Sequence, residues 1–402
     1  MNMSQPLRTL SFCALFLSLF LALLRLQPTA TVNSASRLAT IESLADHKTF
    51  YIDQSSFRDT FDKARLPNGH FISEKPPLQA LLGSLVYRAL KPLGLPSLTP
   101  EARLTIRTLT FFLAWISLAL LIAGFAKALQ ALSLSRETVL QTTALFSITC
   151  LSCGYGASIN NHIAAAACII FSWAFYLKER LLLAGIIGAL AVFFDLPSVL
   201  YCGLLALLVA KNHPKQTTFK FLVVSLLMGA SFFILNFIAT DYWLPLYFYP
   251  EWIFYAGSWW DHPAAVDALH YGPLKQLFHM FLGHHGILSH SPLLLIAIPG
   301  LILQKRLRPI LGLFGALTLF YVLAAPNKFG GEAVGFRFFV HILPLLYLGL
   351  PEGWDWLTGL IGKKRAAWIT LPLVVISIYF WYYALVNPWR LSPWGRLWFP
   401  AP

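Results

Sequence analysis

The chain has 402 residues, of which 57% are hydrophobic and 12% are charged, and its mean hydropathy is +0.65. A soluble globular domain has about 25% charged residues, so this composition argues against a soluble protein. The net charge of +13 does not indicate nucleic acid as a partner, because the basic residues are scattered between apolar runs, as in the cytoplasmic loops of a membrane protein.

Eleven apolar segments are predicted to span a membrane. Their side chains form continuous apolar runs rather than the alternating pattern of β-barrel strands, so we expect helices. The predicted fold is all-α: a polytopic transmembrane helical bundle with a first extracytoplasmic loop that carries juxtamembrane helices. The eleven segments are residues 9–25, 108–126, 138–153, 161–177, 181–195, 197–210, 219–240, 289–303, 309–325, 338–351 and 366–386.

We expect one integral-membrane domain over residues 1–402. Its first part is the extracytoplasmic loop at 27–107, and its second part is the helical bundle at 108–402. The span at 9–25 is expected to stay in place as an uncleaved signal anchor, because the residues that follow it offer only a weak cleavage site.

The segment 77–95 is apolar enough to span the membrane, but Arg88 and Lys91 lie in its second half. If it lies in the membrane interface instead, the later loops hold 13 basic residues on one side of the membrane and five on the other. Arg8 then also falls on the basic side, which is the cytoplasmic side. We therefore predict a juxtamembrane or re-entrant helix at 77–95 and an extracytoplasmic loop before it.

The polar segment 27–77 holds six of the 17 acidic residues and is the predicted place of the chemistry. Within it, residues 37–53 have apolar side chains at helical spacing, which predicts a short amphipathic helix lying on the membrane. Two interpretations of Glu42 on this helix remain open. It is part of a solvated polar face, or it is a carboxylate held above the bilayer as a base.

Two cations in this sequence suit a phosphate group. Lys75 precedes two prolines, which keep it out of a helix interior, and its ammonium is a compact phosphate donor. Arg337 opens an apolar segment, where an unpaired arginine is costly. The alternative for both residues is that they reach the lipid headgroups as anchors.

Asn161 and His162 begin an apolar span at its outer end, where asparagine is a common helix cap. A site role for His162 beside the acidic loop is the other interpretation. Gly283 to Gly286 is predicted to be a tight turn that presents His284 and His285 at the membrane surface.

Six of the 11 histidines lie between residues 262 and 290, which raises the question of a metal. Their spacing matches no zinc motif such as HExxH, and the chain has no DxD motif. We therefore expect no cofactor, and we treat a divalent metal as disfavoured rather than excluded.

Several short stretches, taken in chain order, resemble the GT-C glycosyltransferases. More narrowly, they are similar to the bacterial relatives of protein O-mannosyltransferases and lipid A aminoarabinose transferases. The stretches are Ser36-Arg37-Leu38-Ala39-Thr40, Ile52-Asp53, Asp62-Lys63, Gly69-His70-Phe71, Lys75-Pro76-Pro77-Leu78, Asn161-His162, Gly283-His284-His285-Gly286 and Gly335-Phe336-Arg337.

The resemblance implies that a sugar is transferred from a polyprenyl-phosphate donor to an acceptor on the outer side of the membrane. The acceptor class, whether lipid, glycan or protein, stays open. The resemblance also implies a location in the inner membrane of a bacterium, with membrane lipids and no nucleic acid as partners.

The resemblance further implies an acid shortly after the first span, as base or as orienter of the acceptor. Here that position reads Asn33 to Ser36, and no carboxylate lies between the first span and Glu42. The base is therefore sought among Glu42, Asp53 and Asp62. Binding of the phosphate and the substrates is assigned to Lys75, Arg37, Lys63, Arg337, Asn161, His162, His284 and His285.

Two other functions fit parts of the sequence. A transporter or flippase of a lipid-linked or small solute needs ionisable residues at mid-membrane depth, and the predicted spans contain few. A catalytically inactive relative that binds lipid-linked sugar is favoured by the missing early acid.

Overall fold

The computed structural model describes residues 5–325 and 328–399. These residues form α-helices of very different lengths and one small β-hairpin. The strands are β1 (Lys63–Arg65) and β2 (Phe71–Ser73). The helices are α1 (Gln5–Leu24), α2 (Val32–Glu42), α3 (Pro77–Leu90), α4 (Arg103–Thr110), α5 (Ile116–Ala131), α6 (Arg136–Thr149), α7 (Leu151–Gly154), α8 (Asn161–Leu177), α9 (Leu181–Phe194), α10 (Val199–Asn212), α11 (Lys215–Thr240), α12 (Pro250–Ile253), α13 (Pro273–Phe281), α14 (Ile287–His290), α15 (Leu294–Leu303), α16 (Arg308–Leu323), α17 (Leu343–Tyr347), α18 (Leu350–Ile361), α19 (Lys363–Val386) and α20 (Pro393–Leu397).

Four helical segments in the described ranges are long and apolar enough to cross a membrane. They are α1, the continuous helix Arg103–Ala131, α11 and α19. Only 17% of the apolar window of α1 and of α11 is buried, and 28% of that of α19. Such exposed apolar surface is not tolerated in water, so the chain is an integral membrane protein whose long helices face lipid.

Several other predicted spans coincide with shorter apolar helices, among them α8, α9 and α16. Three predicted spans are interrupted. The segment 138–153 breaks at Cys150, which has an extended backbone, and 289–303 is helical as α15 only from Leu294. The segment 338–351 is not one helix, because prolines near the starts of α17 and α18 begin new helices there. The total of eleven spans stays a prediction.

The first connection differs from its prediction in helix position and burial. Helix α2 begins at Val32, after the capping box of Thr31 and Ser34, and continues into a π-helical turn, Ser43–His47. Nearly all of its side chains are buried, so it does not lie on the membrane with one solvated face. The prediction of a short amphipathic helix at 37–53 that lies on the membrane was therefore wrong.

The burial of α2 follows from what covers it on two sides. Ser36 Oγ donates a hydrogen bond to Asp62 O at 2.5 Å, which holds α2 against the β-hairpin. On the other side α3 approaches closely, because a Cβ on Gly83 would lie only 2.5 Å from Ile41 Cδ1. The hairpin and α3 therefore take the places that solvent and lipid would otherwise occupy.

Candidate functional site

Lys75 lies between two carboxylates at the end of the β-hairpin. Its Nζ is 2.9 Å from Asp62 Oδ2 and 2.5 Å from Glu74 Oε1, and none of the three side chains is more than 13% exposed. Asp62 precedes β1 and Glu74 follows β2. The antiparallel pairing of the two strands therefore brings these acids together.

Burial and neighbouring charges shift the pKa values of the two carboxyl groups in opposite directions. Burial raises the pKa of Glu74, and the negative charge of Asp62 adds to this effect, although Lys75 opposes it. Burial alone would also raise the pKa of Asp62, but the ion pair with Lys75 outweighs burial and leaves that pKa lowered. Asp62 is therefore ionised at neutral pH, and Glu74 is the carboxylate that more readily accepts a proton.

Arg37 is a buried cation, 2% exposed, and no carboxylate lies within ion-pair distance of it in the described ranges. Its Nη1 donates to Asn33 O at 2.6 Å and to Asn33 Oδ1 at 2.8 Å, and its Nη2 donates to Asn161 Oδ1. Burial lowers the pKa of Arg37 to about 10, so it stays charged at neutral pH. The amide oxygens orient the guanidinium without neutralising it.

Arg337 is a second guanidinium without a carboxylate in ion-pair contact among the described residues. Its Cζ lies 5.2 Å from the ring centroid of Phe338 and 5.5 Å from that of Trp389. Gly330 is needed there, because its φ is +93° and a Cβ would lie 2.5 Å from Arg337 Nε. The charge of Arg337 helps to lower the pKa of Asp62, so both arginines belong to one electrostatic region.

A cleft opens beside Lys75 and Arg37. Its polar wall includes both cations and Glu74. Its opposite wall is mostly apolar, formed by the end of α11, the segment after it and the start of the α9–α10 junction. That wall consists of Leu196, Phe232, Asn236, Ala239, Thr240, Pro245, Leu246 and Tyr247. The cleft therefore offers cations to one end of a ligand and hydrocarbon to the other.

A buried cluster of two histidines and one aspartate adjoins this region. His162 Nδ1 lies 2.6 Å from Asp195 Oδ2, and His341 Nδ1 lies 3.4 Å from the same oxygen. Within the residues that the structure describes, it is the group of His, Cys, Asp and Glu with the geometry to hold a metal ion. Asp195 and His341 were missed as site residues, because three distant segments supply the cluster and no sequence spacing reveals it.

Glu42, one of the three predicted bases, lies away from the cleft. Its carboxylate accepts hydrogen bonds from Ser55 Oγ at 2.6 Å, from Ser56 N at 2.9 Å and from Ser56 Oγ at 2.9 Å. These three contacts go to Oε2, and Ser56 Oγ also lies 3.0 Å from Oε1. Both oxygens therefore have a donor, and the turn at residues 55–56 is held against α2.

Asp53 and Lys63 also have partners of their own outside the cleft. Asp53 Oδ1 accepts from Phe71 N at 3.2 Å, and Asp53 Oδ2 is 3.3 Å from His70 Nδ1. Lys63 Nζ donates to Arg58 O at 2.8 Å and lies over the Phe71 ring. Of the predicted acids, Asp62 is therefore the one that the fold brings to Lys75.

His284 and His285 are fully buried, so the prediction that they are presented at the membrane surface was wrong. The reason is that α20 packs over the turn, where a Cβ on Gly395 would lie 2.8 Å from His284 O. Nδ1 of one imidazole is hydrogen-bonded to Nδ1 of the other, and His285 Nε2 contacts Gly331 O at 2.8 Å. Burial lowers the pKa of His284 to about 3. The pair thus holds the backbone that leads to Arg337.

No protein-family model matches the chain, and no curated protein matches its sequence. Solved structures do match its fold. ArnT from Cupriavidus metallidurans bound to undecaprenyl phosphate superposes with a TM-score of 0.54 at 12% identity, over 93% of this chain and 75% of that one. The chain has the fold of a GT-C membrane glycosyltransferase.

Two structures of the oligosaccharyltransferase AglB from Archaeoglobus fulgidus also match the GT-C fold of this chain, each with a TM-score of 0.50 at 12% identity. The apo form is matched over 93% of this chain. The complex with an inhibitory peptide and a dolichol-phosphate is matched over 98%. The chain spans 56% and 60% of these AglB chains. The resemblance predicted from the sequence is thus confirmed for the fold.

Proposed function

We propose that this GT-C protein transfers a sugar from a polyprenyl-phosphate donor to an acceptor on the outer side of the membrane. The observation that carries the proposal is the pair of guanidiniums, Arg37 and Arg337, without carboxylate partners in the described ranges. Arg37 lines the cleft with Lys75, and the charge of Arg337 acts on both of them. A buried charge is costly unless it is paired, and a lipid phosphate supplies the missing anion. The ArnT and AglB complexes, which hold undecaprenyl phosphate and dolichol-phosphate, support this ligand by analogy of fold.

The proposed chemical step depends on the difference in pKa between the carboxyl groups of Glu74 and Asp62. The acceptor hydroxyl or amine gives its proton to Glu74 and forms a bond to the anomeric carbon of the sugar. The bond between that carbon and the phosphate oxygen breaks, and its electron pair leaves with the polyprenyl phosphate. Lys75, Arg37 and Arg337 stabilise the departing phosphate, and Asp62 keeps Lys75 protonated and in place.

The finer points of location and site belong to the same proposal. We place the protein in the inner membrane of a bacterium, as one domain with eleven spans and with the cleft on the extracytoplasmic side. Asn161 fixes Arg37, and His284 and His285 position the segment before Arg337. Glu42, Asp53 and Lys63 take structural roles.

A second candidate function rests on Asn33. Its amide accepts a hydrogen bond from Arg37, at a position where the resemblance implies an acid. An inactive relative that binds lipid-linked sugar without transferring it would have this arrangement. Binding and transfer therefore have to be measured separately.

The test compares two lysines near the same hairpin. Purified protein in nanodiscs receives radiolabelled polyprenyl-phosphate sugars, and both binding and transfer are measured for the wild type, Lys75→Ala and Lys63→Ala. We expect Lys75→Ala to lower the rate of transfer by about 10²- to 10³-fold, as the loss of one charge-stabilising group does. Lys63→Ala, which removes the same charge outside the cleft, should leave transfer near the wild-type rate.

Each outcome separates the candidates. Donor binding that depends on Lys75, without transfer from any donor, identifies the inactive relative. A wild-type protein that binds no polyprenyl phosphate contradicts both proposals. Equal effects of the two lysine substitutions contradict the assignment of the site.

A further inference from the structure

The His162–Asp195–His341 cluster has the features of a metal site, and none of its side chains is among the cations that carry the proposed function. We propose that these three side chains bind a divalent transition-metal ion, Zn²⁺ by their donor chemistry. Neither the His-rich segment 262–290 nor any zinc motif takes part.

The distances in the cluster fit a small tetrahedral ion. Zinc bonds to nitrogen and oxygen of about 2.0–2.1 Å place neighbouring tetrahedral ligands about 3.3 Å apart. The observed separations from Asp195 Oδ2 are 2.6 Å to His162 Nδ1 and 3.4 Å to His341 Nδ1, and all ligand atoms lie within 4.8 Å of one another. Small side-chain movements therefore suffice to admit the ion.

His341 supplies the second, independent observation. It is fully buried, and neither of its ring nitrogens makes a hydrogen bond of good geometry among the described residues, although Nδ1 lies 3.4 Å from Asp195 Oδ2. His290 shows the usual arrangement for a buried structural histidine, because its Nδ1 contacts Gly286 O and its Nε2 contacts Ser392 Oγ, both at 2.7 Å. A buried imidazole without well-formed hydrogen bonds costs free energy, and a metal ion at His341 removes that cost.

The donor set decides which ion is bound. Mg²⁺ and Ca²⁺ prefer all-oxygen ligands, whereas two imidazoles and one carboxylate suit Zn²⁺ and its transition-metal neighbours. Fe²⁺ in such a triad keeps several open positions. All three side chains here are at most 8% exposed, so the tetrahedral geometry of zinc, with one further position, fits better.

The site joins elements on which the cleft depends. His162 follows Asn161, the residue that holds Arg37, and Asp195 precedes Leu196, which lines the cleft. His341 follows the turn that begins at Arg337. An ion bound by all three would fix the two arginines relative to each other.

The test measures metal content and needs no transferase activity. The full chain is purified in detergent without chelator, and its transition metals are quantified by mass spectrometry. It is then stripped, reconstituted with ZnCl₂ and measured again. We expect about one zinc ion per chain, as for a three-ligand site, and far less in His341→Gln and Asp195→Asn. His290→Gln, the same change at a buried histidine outside the cluster, should keep the ion.

A second readout covers variants that fail to fold. The wild type loaded with Co²⁺ should show the visible absorption of a tetrahedral ion with nitrogen and oxygen ligands, and zinc should raise its melting temperature. Wild type that stays metal-free after reconstitution overturns the proposal. So does His341→Gln with the zinc content of His290→Gln. A failed transfer assay with intact metal binding sinks the glycosyltransferase proposal alone.

Discussion

At the scale of single residues, neighbours rather than residue type decide what each acid does. Glu42 and Glu74 are both buried glutamates. The Glu42 carboxylate accepts hydrogen bonds from hydroxyl and amide donors of one turn. The Glu74 carboxylate instead forms an ion pair with Lys75, which is also paired with Asp62. Only the second arrangement leaves a carboxylate at the cleft whose protonation is poised for acid–base chemistry.

The raised pKa of Glu74 gives the proposed reaction a defined dependence on pH. A protonated carboxyl cannot accept the proton of the acceptor, so kcat/KM should fall on the acid side with a midpoint above 4.5, the ordinary value for this side chain. Glu74→Gln should lower the rate by about 10²- to 10⁴-fold and remove this acid limb. The measurement is a pH profile of sugar transfer for both proteins.

Asp62→Asn is the matched control for this profile. The pKa of Asp62 is lowered from its ordinary 3.8, so its titration lies below the acid limb. The variant should lose rate, because Lys75 loses a partner, and it should keep an acid limb that moves to lower pH, because the charge of Asp62 contributes to the raised pKa of Glu74. An unchanged acid limb in Glu74→Gln would remove Glu74 from the role of base.

At the scale of elements, a hairpin of two three-residue strands builds the polar wall of the cleft. Its register pairs Lys63 with Ser73, and this places the preceding Asp62 beside the following Glu74 and Lys75. Strands this short have no usable sequence period, so the sequence analysis did not predict them. The prolines after Lys75 then begin α3, which keeps the lysine at the loop end.

Helices α15 and α18 pack through glycine. A Cβ on Gly300 would lie 1.9 Å from Gly349 O and 2.5 Å from Gly353 N, so the two backbones are nearly in contact, as at small-residue interfaces in membranes. We expect Gly300→Ala to destabilise the protein by about 1–3 kcal/mol through overpacking. Thermal unfolding in detergent, followed by tryptophan fluorescence, measures the change.

Gly312→Ala in the neighbouring α16 is the control for this packing. A Cβ there meets nothing within 4 Å, and alanine is the better helix former, so its melting temperature should equal or exceed that of the wild type. Equal melting temperatures for the two variants would show that α15 and α18 do not approach this closely.

At the scale of the whole molecule, the ends of three helices meet at the candidate site. Helix α8 begins there with Asn161 and His162, while α9 ends there before Asp195. Helix α11 ends at Thr240 on the wall of the cleft. Helix α8 thus runs away from the site, whereas α9 and α11 run toward it, as they would if each helix crossed the membrane. The polar groups gather at one end of the bundle, and the exposed apolar side chains lie along its length.

The orientation of that end is testable by cysteine labelling. Asp59→Cys and Lys215→Cys lie at exposed positions on opposite sides of the predicted topology. In intact cells a membrane-impermeant maleimide should label the first, and it should label the second only after permeabilisation. The wild type, with its own cysteines, measures the background. Labelling of Lys215→Cys alone in intact cells would reverse the topology.

The sequence by itself determined the class of protein, and it predicted the region of its chemistry. Long apolar runs place helices in the lipid bilayer, whichever elements they pack against. The order of short motifs around Lys75 and Arg337 indicated the GT-C fold. These signals are local, so they can be read without knowing which elements pack together.

Only the tertiary structure decided which groups act together. The convergence of Glu74, Asp62 and Lys75 depends on strand register, and the burial of His284 and His285 depends on α20. The cluster of His162, Asp195 and His341 depends on how three segments distant in the sequence meet in space. Charges and imidazoles acquire their roles from partners within a few ångströms, and helix packing sets those distances.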